Sequence, residues 1–150
     1  PFYPVPMTMQ TLVVLFLGIA LGWKLGVATV LLYLFEGIIG LPVFSGSPEK
    51  GVGIVYFTGP TMGYLIGFIF TVYFAGSFNF SKNLFIKFLQ LFFSVSFIYI
   101  LGVLWLGTLI GWDKPLFQFG VQPFLLAELL KILIILISFS KIKKLNRYIK

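Results

Sequence analysis

The sequence contains no cysteine and no histidine. Without cysteine the chain has no disulfide, no thiolate nucleophile and no thiolate metal site, and without histidine it lacks the commonest proton shuttle and metal ligand. Acidic residues are few as well: Glu36, Glu49, Asp113 and Glu128. These absences weigh against an enzyme, and we expect no metal and no cofactor.

Charge of either sign is scarce. Charged residues make up 10% of the 150 residues, whereas a soluble domain has roughly 25%. Hydrophobic residues make up 59%, and the mean hydropathy is +1.06. So few charges cannot cover the surface of a soluble globule of this length. The composition therefore predicts an all-α, polytopic membrane helix bundle surrounded by lipid, and the net charge of +7 has to be interpreted relative to a bilayer rather than as a sign of nucleic-acid binding.

Five predominantly apolar stretches, each with at most two charged residues, approach the length of about 17–25 residues that crosses roughly 30 Å of hydrocarbon. They cover approximately residues 8–23, 25–40, 60–80, 84–110 and 119–139. The first two are so close in sequence that they predict a tight helical hairpin. Pro60 is expected at the first helical position of the third span, where its missing N–H costs nothing. The segment 41–58, which is rich in glycine, serine and proline, predicts the longest loop.

Basic residues concentrate at one end of these spans. Eight of the eleven fall on the same side: Lys24, Lys82, Lys87, Lys141, Lys143, Lys144, Arg147 and Lys150. The positive-inside rule places that side, with the basic tail 140–150, in the cytoplasm and the loop 41–58 outside. Because five spans put the two ends of the chain on opposite sides of the membrane, the N-terminus is expected outside. This topology predicts a further helix upstream of this sequence.

Ionisable groups inside a span cost roughly 2.5–3.5 kcal/mol each on the insertion scale and need a partner or a function. Glu128 and Lys131 lie three residues apart in the last span, so they share one helix face. One interpretation is an internal ion pair that only neutralises itself. The other is a binding site that offers a carboxylate and an ammonium group to a ligand entering from outside.

Further polar residues lie near the same end of the spans. Gln10, with Thr8 and Thr11, forms a polar patch at the mouth of the first span. Thr61 lies next to Pro60 at the start of the third span, whose free N–H groups can receive an anion. Tyr33 and Tyr64 are the best candidates for pocket walls. Glu36 is expected to snorkel to the loop or to pair with Lys50. The four-residue glycine spacing in the first and third spans favours close helix packing.

The sequence contains no recognisable motif that would couple transport to an energy source. Nothing fits the ATP-binding pattern G-x-x-x-x-G-K-[ST], and no string of acidic residues crosses the membrane as a proton relay. If the bundle moves a solute, the energy has to come from elsewhere.

Three motifs in order resemble one family of membrane proteins. They are Pro4-Val5-Pro6-Met7-Thr8-Met9-Gln10-Thr11-Leu12, Gly40-Leu41-Pro42-Val43-Phe44, and Gly59-Pro60-Thr61-Met62-Gly63-Tyr64-Leu65-Ile66-Gly67-Phe68. They are similar to the BioY family, the biotin-binding S components of energy-coupling-factor (ECF) transporters, and the similarity extends from Pro4 to about Lys144. The family's last helix usually carries Asp-Leu-Leu-Lys, where this chain has Glu128-Leu129-Leu130-Lys131.

The resemblance implies a six-helix S-component bundle in a prokaryotic cytoplasmic membrane that captures biotin from outside. It implies a coupling protein and a pair of ATPases as partners, and it implies that Glu128 and Lys131 contact biotin. It also points to the loop after Phe44, and so to Ser45, Gly46 and Ser47, as ligand contacts. The alternatives are an S component for another vitamin and a non-transporting scaffold. A homo-oligomer is a further possibility.

Overall fold

The computed structural model describes residues 5–47, 49 and 51–149, with side chains described as far as Asn146. Its elements are α1 (Gln10–Ile38), α2 (Ile54–Phe57), α3 (Met62–Ser77), α4 (Leu84–Ile110), α5 (Leu116–Gly120), a 3₁₀ turn (Gln122–Phe124) and α6 (Leu125–Ile149). In the described part of the chain no strand is present. The all-helical prediction is confirmed.

Helix α1 reverses direction at Gly22. That residue has φ 75° and ψ 173°, a conformation open to glycine and strained for other residues. The two arms, residues 10–21 and 23–38, fold back on each other: the Gln10 Nε2 atom lies 2.5 Å from the Tyr33 hydroxyl. In a straight helix these residues would be about 35 Å apart along the axis. The reversal brings the beginning of α1 beside its end.

Glycines let α3 approach both arms of α1. A Cβ atom on Gly18 would lie 2.8 Å from the Val72 carbonyl oxygen and 2.9 Å from the Ala75 Cβ, and one on Gly76 would collide with the backbone at Trp23. Packing this close is available only to small residues. The glycine spacing in the sequence thus has a packing role.

Helix α4 runs antiparallel to α3. Its start is fixed by Asn83, whose side chain accepts hydrogen bonds from the backbone N–H groups of Phe85 and Ile86. The buried Thr71 hydroxyl donates to the Ser94 carbonyl across the two helices at 2.8 Å. A Cβ atom on Gly67 would lie 2.5 Å from the Ile98 Cα. This crossing holds Ile98 and Tyr99 of α4 against the interior of the bundle.

We expect Gly67→Ala to lower the apparent melting temperature in detergent by several degrees. The added methyl group has no space against the α4 backbone, and overpacking of this kind costs about 1–3 kcal/mol. Thr108→Ala, an exposed position on α4, is the control and should melt like the wild type. Equal melting temperatures for all three proteins would contradict the close α3–α4 crossing.

Helix α6 packs along the first arm of α1. Its side chains contribute Ile132, Ile135 and Phe139 to a core cluster with Leu15 and Leu91. Near its end, Asn146 Nδ2 donates to the Ala20 carbonyl oxygen at 3.1 Å. A second cluster, around Tyr64, Phe68 and Ile98, fills the other end of the bundle.

The observed elements differ from the predicted spans at several ends. Helix α3 begins at Met62 rather than at Pro60, because Met62 N–H bonds back to the Gly59 carbonyl and closes a turn first. The last span starts as α5 and a 3₁₀ turn, and its helix continues through the basic segment to Ile149. The loop 41–58 contains the short α2. By length and apolar character alone, Gln10–Ile38, Leu84–Ile110 and Leu116–Asn146 are long enough to cross a membrane, but the reversal at Gly22 divides Gln10–Ile38 into two antiparallel arms.

Candidate functional site

A cavity of about 50 Å³ lies at the end of the bundle away from Gly22, between the start of α1, α3, α4 and α6. Its lining combines polar, aromatic and aliphatic side chains: Val5, Pro6, Thr8, Gln10, Thr11, Ser45, Tyr56, Thr61, Tyr64, Leu65, Phe68, Ile98, Tyr99, Phe124, Glu128 and Lys131. Apolar walls with a few converging polar groups are typical of small-molecule sites.

Glu128 and Lys131 form a buried ion pair in the wall of this cavity. The Lys131 Nζ lies 2.7 Å from Glu128 Oε1, and the two residues are only 4% and 6% exposed. Lys131 also donates to the Thr8 carbonyl oxygen at 2.7 Å and to the Thr11 hydroxyl at 2.9 Å. An ammonium group has three donors, so every one of them is used. The predicted shared face of α6 is thereby observed.

Thr11 joins the pair from the opposite helix. Its hydroxyl accepts from Lys131 and donates to Glu128 Oε1 at 2.9 Å. The ion pair therefore reaches across to α1 and sets the position of α6 against the first arm. Thr11 is 6% exposed, so the hydrogen bonds are shielded from water and electrostatically strong.

The second carboxylate oxygen of Glu128 takes no part in this hydrogen-bond network. Glu128 Oε2 is buried and has no hydrogen bond among the described residues, although the side chain of Tyr99 faces the same carboxylate. A buried acceptor without a donor costs about 1–3 kcal/mol or more. The oxygen is therefore suited to accept a hydrogen bond from a ligand N–H or O–H group.

The mouth of the cavity is held by hydrogen bonds from α1. Gln10 Nε2 donates to the Tyr33 hydroxyl, which in turn donates to the Val43 carbonyl oxygen at 3.4 Å. Thr8 donates to Gln10 Oε1 at 3.1 Å. Gln10 lines the cavity as predicted, but Tyr33 does not: it lies behind Gln10 and ties it to the loop.

The loop after α1 contributes one of the two predicted serines. Ser45 lines the cavity, and its carbonyl oxygen accepts a hydrogen bond from the Tyr56 hydroxyl at 2.8 Å. Ser47 is not part of the lining, because it turns toward its own loop and donates to the Gly51 carbonyl oxygen at 3.3 Å. Glu36 forms no ion pair within the described residues, and Lys50 lies outside them.

Helix α3 supplies Thr61 and Tyr64, both of which line the cavity as predicted. Thr61 is the N-cap of α3, yet its side chain does not cap the helix. The Tyr64 hydroxyl donates to the Gly120 carbonyl oxygen at 3.0 Å, which fixes the ring as a wall.

The sequence prediction missed Tyr56, Phe68, Tyr99 and Phe124, which also line the cavity. No signal in the sequence separates a lipid-facing ring from a pocket-facing ring in an evenly apolar helix, because which side a helix turns inward is decided by its neighbours.

The fold defines a polytopic helical membrane protein, with a cavity of mixed polar and apolar lining near one end of its bundle. The model of the BioY family matches residues 1–148. The chain belongs to the BioY family.

Named relatives agree with this assignment. The probable biotin transporter BioY of Pyrococcus horikoshii is 36% identical over 128 residues, which are 85% of this chain and 74% of the relative. The biotin transporter BioY of Thermotoga maritima is 34% identical over 147 residues, 97% of this chain and 85% of the relative. The chain also matches the crystal structure of the S-component for biotin from an ECF-type ABC transporter, with a TM-score of 0.79 and 28% identity over 98% of this chain and 78% of that one.

Proposed function

We propose that this protein takes up biotin as the substrate-capturing membrane subunit of an ECF-type transporter. The observation that carries the proposal is the free Glu128 Oε2 atom, a buried acceptor beside Lys131 in the cavity of a BioY-family chain. Biotin offers matching groups: a ureido ring with two N–H donors and a carbonyl oxygen, an apolar bicycle and chain, and a terminal carboxylate.

The spacing of the ion pair favours the ureido edge as its partner. In a ureido ring the N–H and the carbonyl oxygen are neighbours, as are the Glu128 carboxylate and the Lys131 ammonium group, 2.7 Å apart. Glu128 Oε2 accepts the ureido N–H. Lys131 reaches the ureido oxygen only by giving up one of its three present bonds, since all its donors are used.

The remainder of the ligand extends from this pair toward the cavity mouth. Tyr64, Phe68 and Phe124 offer an apolar wall for the bicycle and the chain. The carboxylate then approaches Thr61 and the N-terminus of α3, where the helix dipole favours negative charge. Gln10 and Ser45, also in the lining, complete the polar end.

Binding requires the lining to move. The cavity measures about 50 Å³, whereas small-molecule sites measure roughly 300–1,000 Å³. A ligand of biotin's size therefore displaces side chains or the loop that carries Ser45. The hydrogen bond from the Tyr56 hydroxyl to the Ser45 carbonyl oxygen joins this loop to α2, together with the ring contacts of Phe44 with Tyr56 and Phe57.

The site also fits a subunit that captures a solute without driving its own transport. We propose that a membrane coupling protein and ABC-type ATPase subunits supply the energy, and that the cavity end of the bundle faces the outside. The basic residues Lys24, Lys87 and Lys143 lie at the opposite end, which the positive-inside rule assigns to the cytoplasm. The chain itself then performs no chemical conversion.

A titration of the purified protein tests the function. We expect biotin to raise the melting temperature saturably and at equimolar stoichiometry, while thiamine and riboflavin, which lack the bicyclic ureido group, leave it unchanged. The methyl ester of biotin tests the carboxylate separately and should bind more weakly than biotin. A shift with another vitamin and none with biotin would overturn the biotin assignment, and no saturable shift with any of them would favour a scaffold.

A further inference from the structure

A second cavity of about 550 Å³ opens at the other end of the bundle. It lies between the reversal of α1, the end of α3 and the last turns of α6, and Lys24, Asn79, Lys143 and Asn146 are part of its lining. Biotin capture as proposed above makes no use of it.

Among the residues that the structure describes, the charged side chains that line this cavity are all positive. They are two lysines, with no acidic side chain beside them in the lining. Two of the chain's four acidic residues are already paired near the opposite end, Asp113 with Lys114 and Glu128 with Lys131. A third lysine, Lys87, approaches from α4 and lies 4.4 Å above the ring of Phe139. A concave surface lined by one sign of charge concentrates counter-ions.

The same cavity has an aromatic rim. Trp23 and Phe78 line it, and Trp23 remains 44% exposed while its ring packs edge-on against Tyr73 at 5.7 Å. Exposed tryptophan at the end of an apolar helix is typical of the level of the lipid headgroups. A ligand that matches both the lysines and the aromatic rim carries an anionic group and an apolar tail.

We propose that this cavity binds the phosphate group of an anionic phospholipid, with the acyl chains lying along the aromatic rim. The ammonium groups of Lys24 and Lys143 pair with the phosphate, and the amides of Asn79 and Asn146 lie within the same lining. Basic pockets between helices on the cytoplasmic side are suited to such headgroups. Because Lys24 is at the α1 reversal and Lys143 on α6, the bound lipid joins two elements that Asn146 already connects through the Ala20 carbonyl.

Thermal unfolding in detergent with added lipid tests the proposal. Phosphatidylglycerol should stabilise the wild type more than phosphatidylcholine does, and the Lys24→Gln/Lys143→Gln double variant should lower the apparent affinity for phosphatidylglycerol by roughly tenfold or more. The matched control is Lys141→Gln/Lys144→Gln, which removes the same charge from exposed residues of α6 that do not line the cavity. It should keep the wild-type response.

Two further measurements make the outcome decisive. Inorganic phosphate at the same concentration should give no stabilisation, and an equal effect would overturn the lipid assignment in favour of a soluble anion. An equal loss of response in both double variants would overturn the cavity and indicate diffuse surface charge. Biotin binding is measured in the same samples and should be unchanged in both variants, so a failure of the lipid proposal is distinguishable from a failure of biotin capture.

Discussion

Glu128→Gln is expected to weaken biotin binding by roughly ten- to a hundredfold, the range that a hydrogen bond to a charged group represents. The amide keeps an oxygen for Thr11 and Lys131 at the position of Oε1. It places an NH₂ group where Oε2 now faces the cavity, so a donor would meet the ureido N–H donor of the ligand. Equilibrium binding of labelled biotin to the purified variant measures the change.

Asp113→Asn is the matched control for this substitution. It also converts a carboxylate into an amide near the same end of the bundle. Asp113, however, is exposed, and its ion pair is with the exposed Lys114, at 3.5 Å. Its biotin affinity should equal that of the wild type. If the folded Glu128→Gln variant also bound biotin with wild-type affinity, the assignment of Glu128 to the ligand would be wrong.

Lys131→Met has the second large expected effect, on stability and on binding together. The methionine fills the space of the lysine stem, but Glu128 then remains buried with Thr11 as its one remaining hydrogen-bond donor within the network. Breaking a buried ion pair by removing one partner costs about 3–5 kcal/mol. We expect a much lower melting temperature in detergent and no measurable stabilisation by biotin.

The double variant Glu128→Leu/Lys131→Met separates a structural role from a binding role. Replacing both members of a buried pair by apolar residues of similar size is often neutral or stabilising, so the melting temperature should return toward that of the wild type. Biotin should still fail to bind, because both of its polar partners are gone. A stable double variant with wild-type biotin affinity would show that the pair is structural only.

The sequence alone determined the class of protein and the centre of its candidate site. Scarce charge and long apolar stretches require a lipid environment whatever the tertiary arrangement, and residues three apart on a helix share a face by local geometry alone. Glu128 and Lys131 could therefore be placed together before any fold was known, and the motifs that resemble the BioY family already indicated biotin.

The tertiary structure decided which other residues reach that centre. Thr11 bridges the ion pair from 117 positions away, and Tyr99 faces the same carboxylate, because α1 and α4 are turned inward at those residues by glycine-mediated packing. Ser47 and Tyr33 have the right chemistry but point elsewhere, toward Gly51 and toward Gln10. The direction in which a side chain points between helices depends on the rotation of its helix and on the angles at which neighbouring helices cross it. Residue spacing along one helix predicts neither quantity.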